Sequence, residues 1–169
     1  MNPKSTKEVE KCIKEYTSRI KLIKNVEHAL CPPSIYLSAF QKNKKVKYGA
    51  QDVHFEKEGA YTGGVSAQMI SSLGATLTLV GHSEKRNEGD TNEVVARKIE
   101  NALKAGLSIV LCVGEKSRDS SADYHIAVKR DLEESLALFP KSKLTSLTIA
   151  YEPVWAIGKN AVRQATPEE

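Results

Sequence analysis

Thr76-Leu77-Thr78-Leu79-Val80 runs directly into Gly81-His82-Ser83-Glu84-Lys85-Arg86. The first five residues are β-formers without a polar face. Both sides of such a strand are expected to be covered, as in a parallel sheet flanked by helices. The next six residues are dense in titratable groups. In parallel α/β folds ligands gather where strands end and helices begin. This one stretch therefore suggests both a fold class and a place for chemistry.

The pattern repeats on either side. Residues 91–105 read as a helix ended by Gly106, and 107–113 as a second two-sided apolar strand. A long helix is expected over 119–139, with Val128, Leu132, Leu136 and Phe139 on one side, then a strand over 145–151. Toward the N-terminus, 66–73 reads as a short helix closed by Gly74, and 46–50 as a strand. Residues 34–43 read as a helix with Ser34 as N-cap. Residues 26–31 form a strand stopped by Pro32-Pro33, because proline cannot donate to a ladder. Val9, Cys12, Ile13, Tyr16, Ile20 and Ile23 give residues 4–24 the apolar stripe of an amphipathic helix. Thr166-Pro167 reads as a further helix start. Five strands alternate with five helices in a single α/β domain spanning 1–169. The chain opens on a helix and closes at the start of one, so its sheet is expected to be incomplete.

Composition narrows the function classes. The chain has 169 residues, 40% hydrophobic and 27% charged, which fits a globular domain rather than a fibrous or disordered one. No apolar run reaches the ~18 residues of a membrane span. Cys12, Cys31 and Cys112 show no CxxC spacing. Neither a disulfide framework nor a zinc site is suggested, and a reducing cytoplasm is the simplest home. Residues 1–50 carry eleven Lys/Arg against four Asp/Glu, whereas the remainder carries fourteen against seventeen. A basic first third raises a nucleic-acid reading. Most of these lysines lie on the outside of helix 4–24 with few aromatics among them, so a solvated helix face accounts for them.

His82 follows a strand and precedes a turn whose backbone N–H groups can start a helix. A helix N-terminus opposes protonation of a nearby imidazole, leaving a neutral ring that donates to a carbonyl oxygen. On position alone, a structural, hydrogen-bonded histidine is the competing reading. Glu152, between Tyr151 and Pro153-Val154-Trp155, is expected to be partly desolvated, which favours it as a base. A surface salt bridge is the alternative. Residues 156–165 have the make-up of a lid or of a plain surface loop. No GxGxxG, Walker loop, HExxH or CxxC occurs, so no cofactor or metal is expected.

Six runs together resemble the triosephosphate isomerase family. They are Cys31-Pro32-Pro33-Ser34-Ile35-Tyr36-Leu37, Gly49-Ala50-Gln51-Asp52-Val53, Gly59-Ala60-Tyr61-Thr62-Gly63, Gly81-His82-Ser83-Glu84-Lys85-Arg86, Cys112-Val113-Gly114-Glu115 and Ala150-Tyr151-Glu152-Pro153-Val154-Trp155-Ala156-Ile157-Gly158. They keep the family's order and nearly its spacing. The resemblance implies a partial TIM (β/α)₈ barrel, parallel strands with outer helices, lacking the first, seventh and eighth strands. A complete barrel runs ~250 residues.

It also implies interconversion of dihydroxyacetone phosphate and D-glyceraldehyde 3-phosphate, a cytoplasmic step of glycolysis and gluconeogenesis. In that reading Glu152 is the base and His82 the electrophile. The backbone N–H of Gly158 grips the substrate phosphate from a closing loop at 153–165. Ser83 and Glu84 support the site, and Cys112 packs near the base. No cofactor, nucleic acid or membrane is implied, and a homodimer through Tyr61 and Thr62 is.

Three departures stand beside the match. Of the family's Asn-Trp-Lys-Met-Asn run only Met1-Asn2 is here, as a misplaced start codon would leave it, so little activity is expected of this chain alone. Gly64 and Lys85 replace the Glu and Arg that usually pair across the dimer interface. Lys159-Asn160 stands where Thr-Gly is usual, in a loop about two residues longer than the common pattern. A non-catalytic α/β binding module that keeps these runs as relics is the competing class.

Overall fold

The computed structural model describes residues 2–20, 23, 25–41, 45–118, 123–158 and 161–166. Five strands form one parallel sheet in sequential order: β1 Ala29–Leu30, β2 Lys47–Ala50, β3 Leu77–Val80, β4 Ser108–Val113 and β5 Leu147–Tyr151. The helices are α1 Thr6–Ile20, α2 Ala67–Ser72, α3 Ser83–Asn87, α4 Asn92–Lys104 and α5 Tyr124–Ser135. The sheet curls into a half-barrel, a partial TIM barrel with helices packed outside it. Among the described residues, no helix is long and apolar enough to cross a membrane.

Register aligns the strand ends that carry the site. Leu77 lies beside Ser108 and Val80 beside Leu111, while Ile109 pairs Leu147 and Val113 pairs Tyr151. His82 and Glu152 therefore leave the sheet at the same end, on either side of β4.

The core lies between this sheet and the outer helices. Ile109 and Leu111 of β4 are fully buried, as are Val95, Ile99 and Ala102 of α4. The α4 positions repeat at helical spacing, which turns one face onto the sheet. Burying a side chain such as Ile99 stabilises by roughly 1.5–3 kcal/mol. Thr91 caps α4 by accepting from the Val94 amide at 3.2 Å, and Ser66 caps α2 through Met69. β3 has the two-sided burial its composition implied, with Leu77, Thr78 and Val80 buried.

Several elements differ from expectation. Only Ala29–Leu30 of the 26–31 segment pairs in the sheet. It has one neighbour, and Pro32-Pro33 ends it. The 34–43 segment is a 3₁₀-helix, Ser34–Phe40. Pro33, not Ser34, takes the cap position, and no side chain caps it. Helix α1 covers Thr6–Ile20 of the expected 4–24 segment, and residues 21, 22 and 24 lie outside the described residues. Helix α5 ends at Ser135, although Leu136 and Phe139 still pack on the core. Pro140 disfavours helical backbone in the residue before it, so the chain leaves the helix early. A 3₁₀ turn, Lys141–Ser146, replaces the start of the 145–151 strand. Pro167 and the start of the 119–139 helix, 119–122, lie outside the described residues.

Candidate active site

β3 ends at Val80, and the chain turns through Gly81 with φ +71°. A methyl on Gly81 would lie 3.0 Å from Arg86 Nη2 and 3.1 Å from the Cys112 carbonyl oxygen. Only glycine suits that conformation and that space. His82 follows as the N-cap of α3, its Nδ1 accepting from the Glu84 amide at 3.2 Å. A nitrogen that accepts carries no proton, so in the neutral ring the proton sits on Nε2. Nε2 then points at Glu152: the distance to Oε2 is 3.6 Å.

Glu152 leaves β5 under control of β4. Its amide donates to the Val113 carbonyl at 2.7 Å, and the Val154 amide donates to the Glu115 carbonyl at 3.0 Å. The side chain is 27% exposed, yet Oε2 is buried without a hydrogen-bond partner. An unpaired buried carboxylate oxygen is costly to maintain and is typical of a group held ready for another molecule. Cys112 is buried at the end of β4, close enough to Glu152 for that carboxylate's charge to act on the thiol. Burial first, then the nearby Glu152 charge, pushes that thiol up to about 12. Cys112 thus lies near the candidate base, lining the same cavity.

A cavity of about 590 Å³ is lined by Glu152, Cys112, Gly114 and Arg86 and by Gly81 and Ser83 on either side of His82, though not by His82 itself. Ser83 faces it. The Glu84 side chain is 86% exposed, and what Glu84 brings to His82 is its backbone amide. Gly158 stands exposed at φ +73° on the loop beyond the 3₁₀ turn Val154–Ala156, and among the described residues no hydrogen bond links it to His82 or Glu152. Lys159-Asn160 lies outside the described residues.

Sequence reasoning missed the anchor of that loop. Glu115 Oε1 accepts from Trp155 Nε1 at 2.7 Å, from Arg118 Nη2 at 2.8 Å and from the Tyr151 hydroxyl at 2.9 Å. Burial of Glu115 opposes its ionisation, but these hydrogen bonds hold its carboxyl below the usual range. Burial, then Glu115, push the Tyr151 phenol up to about 12. The Val162 amide returns to the Trp155 carbonyl at 2.7 Å, closing the loop on itself. Only the adjacency of Glu115 to a strand end hinted at this role. Tyr151 and Trp155 are 36 and 40 residues away, and only Arg118 is near in sequence.

Gly64 and Lys85, the two interface departures noted in the sequence, make other contacts. Gly64 offers no side chain and packs near the His54 ring, while Lys85 Nζ pairs with Glu88 at 2.7 Å. Tyr61 is exposed and its ring sits 4.4 Å from that of His54. Thr62 is exposed beside it.

Residues 1–169 match the family model described as triosephosphate isomerase. The triosephosphate isomerase of Dictyoglomus thermophilum is 40% identical over 161 residues, covering 92% of this chain and 64% of the relative. That of Xanthomonas axonopodis pv. citri is 43% identical over 152 residues, covering 87% and 60%. The crystal structure of triosephosphate isomerase from Bartonella henselae superposes with a TM-score of 0.81 at 32% identity, covering 91% of this chain and 66% of that one. The chain thus spans less than two thirds of the length of these two curated relatives. The half-barrel of parallel strands agrees with these matches, and the family model covers the whole sequence: the chain belongs to the triosephosphate isomerase family.

Proposed function

We propose that the His82–Glu152 pair is the proton-transfer centre of a triose-phosphate isomerase, interconverting dihydroxyacetone phosphate and D-glyceraldehyde 3-phosphate. The observation that carries this reading is the 3.6 Å approach of Nε2 to an unpartnered Glu152 oxygen. The carboxylate removes a proton from the carbon beside the carbonyl and returns it to the neighbouring carbon. The Nε2–H donates to the carbonyl oxygen, stabilises the enediolate and passes a proton between its two oxygens, so that hydroxyl and carbonyl exchange places. One carboxylate and one neutral imidazole suit this reaction class and need no organic cofactor or metal. The Gly158 amide grips the phosphate after the 153–165 loop closes, which excludes water and protects the enediolate. The pair works in the cytoplasm, in glycolysis and gluconeogenesis, and the full-length protein assembles as a homodimer through Tyr61 and Thr62.

The isolated chain is expected to be a poor catalyst. The lysine of the family's Asn-Trp-Lys-Met-Asn run is not among its 169 residues. One such electrostatic group is worth ~2.7–4 kcal/mol, or roughly a hundredfold or more in rate. Purified 1–169 should therefore turn over at under about a tenth of a full-length relative's rate, and Glu152→Gln should remove what remains. A rate within tenfold of the relative contradicts the first expectation. A residual rate unchanged by Glu152→Gln contradicts the assignment of the base.

A further inference from the structure

Two consecutive carbonyls flank the α-carbon of His82, and one residue holds both. Arg86 Nε donates to the Gly81 carbonyl at 2.8 Å, and the Arg86 amide donates to the His82 carbonyl at 3.0 Å. Gly81 is buried, so without this arginine its carbonyl would face away from water without a partner. Such a loss costs more than a typical hydrogen bond contributes.

The other end of Arg86 is anchored to the helical layer. Nη1 donates to Asn92 Oδ1 at the start of α4, and Nη2 donates to Ser135 Oγ at 3.2 Å. Ser135, the last residue of α5, is fully buried. Its hydroxyl donates to Asn92 Oδ1 at 3.2 Å, and the Asn92 amide donates to Asp131 at 3.0 Å and Glu134 at 2.8 Å. The guanidinium is thus fixed on three sides by neutral acceptors. Helix α3 has only five residues, too few to hold its shape by helical hydrogen bonds alone.

We infer that Arg86 is a positioning residue that sets the His82 ring by clamping the Gly81 and His82 carbonyls to the α4–α5 layer. Its significance for chemistry rests on the reading of His82 as the electrophile, but the geometry itself is testable without turnover. The planar fork is essential, because three directions must be met at once. Lysine in its place keeps the charge and loses the geometry.

His54 provides an internal control. Its Nδ1 also accepts an amide two residues on, from Glu56 at 3.0 Å, without Arg86. The experiment is imidazole ¹⁵N NMR on the whole chain at about pH 8, above the ordinary histidine range, with Arg86→Lys compared to the parent. The expected result is a single Nε2–H tautomer for His82 in the parent and its loss in Arg86→Lys. The His54, His28 and His125 signals and the unfolding midpoint should stay in place. A folded Arg86→Lys protein whose His82 keeps the parent pattern overturns the proposal. If Arg86→Lys does not fold, Ser135→Ala is read the same way, since it removes one anchor and leaves the Gly81 bond. Partial loss of the His82 pattern supports the inference, and a folded Ser135→Ala protein with an unchanged pattern overturns it.

Discussion

Gly114 and Glu152 are in backbone contact so close that no side chain fits between them. A Cβ at position 114 would come within 1.8 Å of the Glu152 carbonyl oxygen and 2.4 Å of its carbonyl carbon. The absence of a side chain just past β4 is therefore what sets the exit path of the candidate base from β5. Gly114→Ala must push this part of β5 outward, stretching the 2.7 Å bond from the Glu152 amide to Val113. Overpacking of this kind costs about 1–3 kcal/mol. Denaturant unfolding should show that loss, and the Glu152 carboxyl carbon should shift in ¹³C NMR. A variant of parental stability with an unshifted Glu152 signal would refute the contact.

The fate of the thiols follows from burial. Cys31 is pushed up to about 11, chiefly by burial, and Cys112 up to about 12. Only a thiolate attacks a disulfide reagent, and at pH 8 a group with a pKa of 11 is about one part in a thousand thiolate. All three cysteines are free. Titration of the folded chain with an aromatic disulfide should therefore label Cys12 first, and Cys31 and Cys112 only on unfolding. The same shifts fix a sign: both folded-state values lie above the ordinary 9.0. Their contribution to stability is whole below pH 9 and fades as pH rises toward 11 to 12. A flat stability profile across that window would count against it.

Glu115 joins Trp155, Tyr151 and Arg118, and its removal takes away the acceptor of the buried Trp155 Nε1. Its side chain is 2% exposed and that of Arg118 is 10%. Breaking a buried pair from one side costs about 3–5 kcal/mol. Glu115→Ala should lose that much in urea unfolding and red-shift the emission of Trp155, the one tryptophan of the sequence. Unaltered emission together with a small loss would show that the loop is held by something else.

Lys98 presents a similar case on the other side of the sheet. It is 4% exposed, with Nζ 2.8 Å from both Asp52 oxygens and 2.6 Å from Asp90. Burial pushes the Asp52 carboxyl up, against the pull of Lys98. In Lys98→Met the two carboxylates lose the cation between them, with Lys85 left nearby. The loss should again be about 3–5 kcal/mol at neutral pH. It should shrink as the pH falls, because protonation relieves the repulsion. A loss that grows toward acid would contradict this arrangement.

Parts of this architecture were readable in the chain and parts were not. β3, α4 and β4 were legible because Leu77, Val80, Ile99, Ile109 and Leu111 are all core residues and Thr91 caps in the ordinary way. His82 and Glu152 were legible because each sits just past a strand. The 3₁₀ geometry of 34–40 was hidden, since Ser34 mimics a cap and the effect of two preceding prolines is not in its own pattern. Lys98 was hidden as well: its helical position looks like any exposed lysine until Asp52, 46 residues away, is brought to it. The anchors on Glu115 and Arg86 were hidden for the same reason. Long-range polar pairing leaves no periodicity to read.

β5 pairs only with β4 among the described residues, and Ile149 and Tyr151 on it are 42% and 46% exposed. An uncovered apolar strand invites pairing with another chain. The isolated chain should self-associate in gel filtration with light scattering, and Ile149→Lys should reduce that. A monodisperse, cooperatively melting parent would argue the opposite.

The convergence of imidazole and carboxylate on one small molecule is best tested by binding rather than turnover. The probe is a two-carbon hydroxamic acid phosphate, which mimics the planar enediolate, titrated into chain labelled with ¹⁵N-histidine and ¹³C-glutamate. The account predicts that the His82 Nε2 and Glu152 carboxyl signals move together along one saturation curve while His28 and His125 stay still. Movement of only one of the two, or of neither at saturating probe, would contradict it.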